Sequence, residues 1–459
     1  MAVTGKVIKA ALKKVEPSEV EKKAMEAFKA RALSAAHKLS GFKPQLCGSA
    51  EKGTWLPGKL EIDLFLLFPT SLERKGLEKQ GLEAAKKIIK ALKGKPIVAY
   101  AEHPYARSSL NFSGRKFEID VVPAYEISDP SAIQSAVDRT PHHVVFVKKN
   151  LSKEQEAEVR LLKQFCKTAG CYGADLKTQG FSGYLCELLI VKFGSFSSVI
   201  KAAAGWSAGA KVSLSNSQKQ FHTPLTIIDP VDSNRNVAAA VSPQSLYTFS
   251  KACSAFLKIP SIKYFSSDPA KPYSVKEVKR AISSRGTRPY LFLFPKPKNI
   301  LDDVLYTQGR KTLRNLEKLL SAAGFSFHSG DIFVSPTDIS FFLEISVWSV
   351  PRIIKHKGPS IYSKQSKDFL NHYSKNRLWI EGDDWFVETE RAHTAPLPFF
   401  KYLFSLSQEK LSQKGIPSNF SKTPKIFSGI NILKPLEKRE DLRLFLRNYF
   451  ETNFNPYGG

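Results

Sequence analysis

The sequence lacks paired cysteines and long apolar runs. Its five cysteines form no Cys-x-x-Cys pair, which disfavours a zinc ribbon or a disulfide scaffold and favours a reducing compartment. No apolar stretch approaches the ~20 residues that cross a bilayer, and the first residues lack the apolar segment of a secretory signal. We therefore expect a cytoplasmic protein without a membrane partner.

Acidic residues are scarce, because 69 lysines and arginines stand against 42 aspartates and glutamates in 459 residues, giving a net charge of +27. A protein this basic usually binds a polyanion, and nucleic acid is the leading candidate because phosphate contacts supply most non-specific affinity. The excess is greatest in residues 271–300, with 8 basic residues to 1 acidic, and in residues 351–380, with 7 to 1. Both windows also contain aromatic residues, a combination that fits an RNA surface. A solvated basic surface is the alternative.

One short segment places two carboxylates on a single face of a predicted strand. In Leu60-Glu61-Ile62-Asp63-Leu64, alternate side chains of an extended strand share a face, so Glu61 and Asp63 project together. Two like charges this close repel, and a fold tolerates them mainly when a cation lies between them. Carboxylate oxygens beside a phosphate suit Mg²⁺. The alternative is a solvated edge strand, where charged residues are common.

A second segment, residues 116–123, repeats the alternation and puts Glu118 and Asp120 on one face. A third carboxylate from this strand would complete a cluster for two metal ions. Such a cluster activates an attacking hydroxyl with one ion and stabilises the leaving oxygen with the other.

A turn-like segment precedes the first pair and contains Gly48, Ser49 and Lys52. Its backbone donors, hydroxyl and ammonium suit the oxygens of a polyphosphate, although the segment has no Walker pattern. A glycine and serine followed by an acidic pair on a strand resembles the nucleotidyltransferase superfamily of the DNA polymerase beta type.

Five longer strings carry a closer resemblance, to the archaeal class I family of CCA-adding enzymes, which are tRNA nucleotidyltransferases. They are YAEHPY at 100–105, VDRTPHH at 137–143, LKQF at 162–165, CYGADLKTQGFSGYLCE at 171–187 and DPVDSNRNVA at 229–238. The similarity runs from the helix at Ser18 to Arg235 and continues more loosely beyond it. The resemblance implies a template-independent polymerase that rebuilds the CCA end of tRNA from CTP and ATP.

The resemblance also implies roles for individual residues. Glu61, Asp63 and Asp120 would be catalytic and would hold two Mg²⁺ ions, with Asp120 rather than Glu118 as the third ligand. The nucleotide-binding positions would be Ser49, Lys52, Thr140, His143, Lys163, Tyr172 and Arg235. Position 52 is usually arginine in the family, and lysine keeps the charge but loses the two-pronged donor geometry. The implied partner is tRNA, held by its acceptor arm and 3′ end, and a homodimer is left open.

Some of these residues have simpler interpretations when they are taken alone. Lys163 in a helix would more often be solvated, Tyr172 could lie at the edge of a core, and Arg235 could only tie down its loop. Two other functions also stay open: another RNA 3′-end polymerase, such as a poly(A) or oligoadenylate polymerase, and a non-catalytic tRNA-binding protein.

The predicted elements indicate an α+β multidomain chain, because 459 residues exceed one core. We expect a helix from a capping box at Ser18 and Glu21 to about Leu39, helices over 153–168 and 182–193, and a helix from about 312 to 323. The predicted domains are a nucleotidyltransferase palm with a mixed sheet and helices over 1–140, a helical neck over 141–222, a body of 223–270 with 395–459, and a basic RNA-binding tail over 271–394.

Overall fold

The structure is a computed structural model that describes residues 2–100, 102–130, 133, 135–215, 219–266, 271–298 and 300–451. The chain divides into two compact units, the first holding the described residues up to 266 and the second those from 271 onward. The predicted boundary at residue 270 lies outside the described residues.

The first part of the first unit is built on a five-stranded mixed sheet with strand order β1-β2-β5-β4-β3. Strands β2 and β5 are parallel, and the other neighbours are antiparallel. The elements are α1 (Ala2–Val15), α2 (Glu19–Leu39), β1 (Lys43–Cys47), α3 (Gly48–Glu51), β2 (Glu61–Phe68), α4 (Arg74–Ala91), β3 (Ile97–Tyr100), β4 (Pro104–Phe112) and β5 (Arg115–Tyr125).

Local sequence signals account for this part of the fold. The capping box at Ser18 and Glu21 is present, and α2 ends at Leu39, as predicted. Strand β2 buries Ile62 and leaves Glu61 and Asp63 half-buried on the other face. Helices α2 and α4 bury their apolar sides against the face that contains Ile62, so the carboxylates lie on the opposite face.

Helices dominate the rest of the first unit. The elements are α5 (Arg139–Asn150), α6 (Lys153–Thr168), α7 (Gly183–Phe193), α8 (Phe196–Ala203), β6 (Ala210–Val212), β7 (Leu225–Ile227) and α9 (Pro243–Lys258). Helix α6 spans the predicted residues, and Ser182 caps α7. Among the described helices, none by itself is long and apolar enough to cross a membrane, although α7 and α8, bent 96° at their junction, pass that test together. Both helices bury apolar residues in one core with α6 and α9.

The second unit contains two separate sheets. One has strand order β14-β8-β10-β9, and the other has order β11-β13-β12. The elements are α10 (Val275–Ser283), β8 (Arg288–Pro295), α11 (Asp302–Ala322), β9 (Ser326–Val334), β10 (Asp338–Val347), β11 (Ile353–Ser360), α12 (Ser366–His372), β12 (Leu378–Glu381), β13 (Asp384–Glu390), α13 (Pro396–Leu403), α14 (Gln408–Gln413), β14 (Lys425–Ser428), α15 (Leu433–Leu436) and α16 (Glu440–Glu451).

Helix α11 begins at Asp302, ten residues before the predicted start near residue 312. The added turns include Gly309, and glycine is unfavourable in the interior of a helix. A methyl group built at Gly309 would lie 2.7 Å from a side-chain carbon of Ile332 in β9. Close packing against the sheet therefore explains a glycine inside the helix, and that contact is not visible from the local sequence.

Candidate active site

Three carboxylates converge on the face of the mixed sheet opposite α2 and α4, beyond the part of that face that α5 covers. Strands β2 and β5 run parallel with Asp63 opposite Asp120, so alternation places Glu61, Asp63 and Asp120 on the same side. Each offers an oxygen atom, and these atoms lie within 4.8 Å of one another. Glu118 is exposed and is not part of this group. Among the described residues, this is the one cluster of acidic, histidine or cysteine side chains compact enough to hold a metal ion.

The electrostatics of the cluster favour a bound cation. Burial, together with the charges of Glu61 and Asp120, raises the pKa of Asp63 to about 6. A group whose ionised form is disfavoured by neighbouring carboxylates gains most from a positive partner. Hard carboxylate oxygens are the donors that Mg²⁺ prefers, so the residues present fit a divalent metal.

Two cations already pair with the cluster. Arg107 in β4 makes a two-pronged ion pair with Asp120, from Nε to Oδ1 at 2.7 Å and from Nη2 to Oδ2 at 2.6 Å. Lys59 lies 2.8 Å from Glu61 and is exposed. The side chain of Arg107 is half exposed, so solvent reaches this ion pair.

The segment before β2 lies directly against Asp63. Gly48 begins α3 with φ +72°, and a methyl group built there would lie 1.8 Å from Asp63 Oδ2. Only a glycine allows this approach at this backbone angle. Ser49 and Lys52 belong to the same turn, so the predicted phosphate-contacting residues lie next to the predicted metal ligands.

Glu187 of α7 is a buried carboxylate that bonds both of the predicted nucleotide-binding lysines. It accepts a hydrogen bond from Lys52 Nζ at 2.5 Å on one oxygen and from Lys163 Nζ at 3.0 Å on the other. Thr54 Oγ1 donates to it at 2.6 Å. Lys163 is 1% exposed, so the interpretation of a solvated helix residue is wrong.

Tyr172 lies beside Lys163. A methyl group built at Gly183 would be 3.3 Å from the Tyr172 hydroxyl and 3.4 Å from Lys163 Nζ, so both groups face the same small space. Burial raises the pKa of Tyr172, which keeps its hydroxyl neutral and able to donate.

Asp229 is a second buried carboxylate, and it bonds two further predicted residues. His143 Nε2 lies 2.9 Å from Asp229 Oδ2, and Arg235 Nη1 donates to the same oxygen at 2.6 Å. Burial alone would raise the pKa of Asp229, but its bonds with His143, the Val231 N–H and Arg235 hold that pKa at about 2. Thr140 lies half-buried one turn before His143 on α5.

Tyr184 connects the two carboxylate centres. Its hydroxyl donates to Asp229 Oδ1 at 3.0 Å, and its ring stacks on His143 with centroids 3.9 Å apart. Lys52 Nζ also lies 5.6 Å from the ring centroid, within range of a cation–π interaction. All ten predicted site residues lie in the first unit. Eight of them are joined by direct contacts or a shared partner, whereas Ser49 and Thr140 adjoin the others only along the chain.

Glu187, Asp229, Tyr184 and Arg107 are the site residues that sequence reasoning missed. Glu187 carried one usable signal, since it is a single charge within the apolar run of α7, and such a charge needs a buried partner. Asp229 follows a buried three-residue strand, but nothing local indicates that His143, 86 residues earlier, pairs with it. Tyr184 and Arg107 carried no local signal.

Three protein-family descriptions match this chain. Residues 31–143 match "Nucleotidyltransferase domain", residues 157–266 match "tRNA nucleotidyltransferase, second domain" and residues 285–422 match "CCA-adding enzyme, C-terminal domain". The first two contain all the residues of the candidate site.

Curated relatives from archaea match over most of the chain. The CCA-adding enzyme of Methanothermobacter thermautotrophicus is 37% identical over 364 residues, covering 78% of this chain and 78% of that protein. The CCA-adding enzyme of Methanosarcina acetivorans is 34% identical over 459 residues, covering 96% and 97%. That of Methanocaldococcus jannaschii is 35% identical, covering 80% and 82%.

Solved structures resemble part of the chain more distantly. The Cid1 poly(U) polymerase with Mg 3′-dATP bound superposes with a TM-score of 0.44 and 14% identity, covering 57% of this chain and 98% of that one. The E. coli MS115-1 CdnC with ATP superposes with a TM-score of 0.42 and 18% identity, covering 57% and 94%.

Proposed function

Because the chain belongs to the CCA-adding enzyme family of nucleotidyltransferases, we propose that it rebuilds the 3′-terminal CCA sequence of tRNA from CTP and ATP without a template. The single observation that carries the proposal is the group of three carboxylates, Glu61, Asp63 and Asp120, next to the glycine turn and the buried Lys52. A protein that only bound tRNA would have no physical reason to keep three repelling acids together.

Nucleotidyltransferases of this kind use divalent metal ions, and we propose two Mg²⁺ ions held by Glu61, Asp63 and Asp120. When bound, they activate the attacking hydroxyl and stabilise the departing oxygen. The protein supplies the fixed positions of the carboxylates, because β2 and β5 are neighbouring parallel strands with these residues in register.

In the proposed reaction, the 3′-hydroxyl oxygen of the RNA bonds to the α-phosphorus of the incoming nucleotide. The bond from that phosphorus to the bridging oxygen breaks, pyrophosphate leaves, and the hydroxyl proton passes to solvent. Ser49 and Lys52 contact the triphosphate, and Lys163, which shares Glu187 with Lys52, and Tyr172 beside it complete the nucleotide-binding site. Positioning and fixed charge supply most of the catalysis in phosphoryl transfer.

We propose that the residues around Asp229 recognise the base and sugar. Asp229 holds Arg235 and His143 in fixed orientations, and a fixed guanidinium can donate to acceptors on cytosine or adenine. Thr140 would lie near the sugar. The ion pair between Arg139 and Asp232, at 2.8 Å, ties α5 to the loop that contains Arg235.

The second unit contains a cluster of aromatic and cationic side chains, in which Lys355 and Arg377 also pair with Glu381 and Glu388. Trp379 and Phe386 stack with centroids 5.7 Å apart on neighbouring strands β12 and β13, and Lys355 lies 4.3 Å from the Phe386 centroid. Arg377 lies 5.6 Å from the Trp379 centroid. We call these four residues the aromatic platform and propose that it contacts the tRNA by stacking and phosphate pairing.

The predicted palm over 1–140, the neck over 141–222 that contributes to base recognition, and the tail over 271–394 that contains the aromatic platform remain part of the proposal. The predicted body of 223–270 with 395–459 does not match the structure, because α13, α14, α15 and α16 share apolar cores with β8 and β10 of the second unit. We also propose that the protein works in the cytoplasm, where its tRNA and nucleotide substrates occur together.

A single assay tests the function. Purified protein is given tRNA that ends before CCA together with labelled CTP and ATP, and the product is sequenced. We expect addition of cytidine, cytidine and adenosine, and little incorporation from UTP or GTP. Tracts of adenosine alone would indicate an adenylate polymerase, and tight tRNA binding without addition in the presence of Mg²⁺ would indicate a binding protein.

A further inference from the structure

Glu187 is a carboxylate held entirely inside the first unit. It is 0% exposed, and the residues on either side of it in α7 are also buried. A buried charge without partners is strongly destabilising, so such a residue needs compensating donors. Its partners come from two separate parts of the chain: Lys52 and Thr54 after α3, and Lys163 in α6.

The two lysines use their donors differently. The Lys163 ammonium donates to Glu187 Oε1 at 3.0 Å, to the Thr54 carbonyl at 3.1 Å and to Thr54 Oγ1 at 3.0 Å. An ammonium has three donors, so those of Lys163 are all engaged. Among the residues that the structure describes, Lys52 donates to one acceptor, Glu187 Oε2, which leaves the other two donors of its ammonium for a ligand.

The charges in this group do not cancel. Two ammonium groups share one carboxylate, leaving one positive charge in a largely water-excluded space. Burial alone would raise the pKa of Glu187, but the charges of Lys163 and Lys52 hold that pKa at about 2. Burial lowers the pKa of Lys163, and the Glu187 charge opposes this shift. The other titratable groups near Lys163 are Cys186 and the neutral Tyr172 hydroxyl.

We propose that Glu187 is a positioning residue of the triphosphate site, which keeps Lys163 charged in its buried position and holds the Lys52 ammonium ready for the nucleotide phosphates. This inference rests on the proposed function, because it takes the ligand to be a nucleoside triphosphate. It also explains a lysine at position 52, since the carboxylate orients its ammonium and replaces the geometric constraint that an arginine fork would provide.

The test is CTP binding by Glu187→Gln, measured by isothermal calorimetry with Mg²⁺ and without tRNA. The substitution keeps the size of the side chain and removes its charge. Lys163 then loses its proton at a lower pH, so the ratio of variant Kd to native Kd should rise at least about tenfold between pH about 6.5 and about 9. The native protein should show no comparable rise, and tRNA affinity should be unchanged.

Glu344→Gln is the matched control. Glu344 is 1% exposed in β10 of the second unit and accepts hydrogen bonds from Arg285, Thr287 and Tyr449. This variant also removes one buried carboxylate charge, but it is remote in sequence from every candidate nucleotide residue. Its Kd ratio for CTP should stay flat with pH, whatever the substitution does to thermal stability.

A second pair of variants separates positioning from general damage. Glu187→Asp keeps the charge and should give a Kd ratio that does not vary with pH. The double variant Glu187→Gln with Lys163→Met restores the balance of buried charge and should fold even where the single variant does not. Its weakened CTP binding should also lose the pH dependence, because the titrating group is gone.

The inference is overturned when Glu187→Gln binds CTP as the native protein does, or when its Kd ratio is flat with pH. It is also overturned when the double variant still shows a ratio of variant Kd to native Kd that rises with pH. Failure of the proposed function looks different: the native protein would bind CTP with the pH behaviour described and yet add no CCA to tRNA.

Discussion

At the residue scale, the repulsion among the three carboxylates is concentrated on Asp63. It is crowded by Glu61 and Asp120, and its pKa is raised to about 6. In the metal-free protein, the folded state therefore binds more protons than the unfolded chain between pH about 4 and 6. Stability is lost as the pH rises through this window, and the loss remains above it. A bound cation reverses the effect because it favours the ionised carboxylate.

The substitution Asp63→Asn should separate chemistry from folding. We expect nucleotide transfer to fall at least about 10³-fold, because metal ions contribute several kcal/mol to the transition state. In EDTA at pH about 7.5, the variant should melt at a higher temperature than the native protein, since one repelling charge is gone. Single-turnover transfer and thermal unfolding monitored by circular dichroism measure the two effects.

Glu118→Gln is the control for Asp63→Asn. Glu118 lies two residues from Asp120 in β5, but it is exposed and outside the acidic group. Transfer and melting temperature should both stay close to native values. The metal-site interpretation would fail if Asp63→Asn kept its transfer activity, or if it lost tRNA affinity as strongly as it lost transfer.

The carboxylate pair was predictable because its signal is local. Alternation along one strand places Glu61 and Asp63 together, and the capping box at Ser18 is equally local. Lys163 and His143 came from resemblance alone, because their partners, Glu187 and Asp229, lie 24 and 86 residues away in the chain. Pairing at such distances depends on how α6, α7 and α5 pack, which a single sequence does not specify.

At the element scale, the turn from β1 through α3 to β2 determines how close the backbone comes to Asp63. Strand β1 is antiparallel to β2, with Cys47 opposite Asp63. The chain must then leave the sheet at Gly48 without a side chain in the way. Glycine is therefore required at position 48 for two reasons: the backbone has a positive φ, and the side chain of Asp63 leaves no room for a methyl group.

Gly48→Ala and Gly41→Ala form a matched pair of variants. Gly41 also has a positive φ, +69°, but a methyl group there would meet nothing within 4 Å. Both variants should lose about 1 kcal/mol of stability from the strained backbone. Only Gly48→Ala should also lower kcat, by about 10²-fold or more, because Asp63 must move. Equal kcat values in the two variants would contradict this account of the turn.

At the scale of the whole molecule, the two units differ in their chemistry. The first contains all ten predicted catalytic and nucleotide-binding residues, whereas the second contains the basic windows and the aromatic platform. This separation predicts that substitutions in the platform change tRNA affinity and leave nucleotide affinity unaltered.

Trp379→Ala tests that separation. We expect tRNA Kd to rise roughly tenfold, because a stacked base is worth about 1–3 kcal/mol, while CTP Kd stays the same. Tyr402→Ala is the control, since Tyr402 is an aromatic residue of the same unit, 53% exposed in α13 and outside the platform. Filter binding with tRNA and calorimetry with CTP give the two constants. Unchanged tRNA binding by Trp379→Ala would remove the platform from the RNA surface.

The position of Tyr184 has a consequence for fidelity. Its hydroxyl is bonded to the carboxylate that orients Arg235, while its ring faces the ammonium of Lys52. A wrong base that displaces Arg235 would therefore also disturb Lys52, the residue that we propose contacts the triphosphate. An incorrect nucleotide could then be rejected during the chemical step as well as during binding, which gives an enzyme without a template a second opportunity for discrimination.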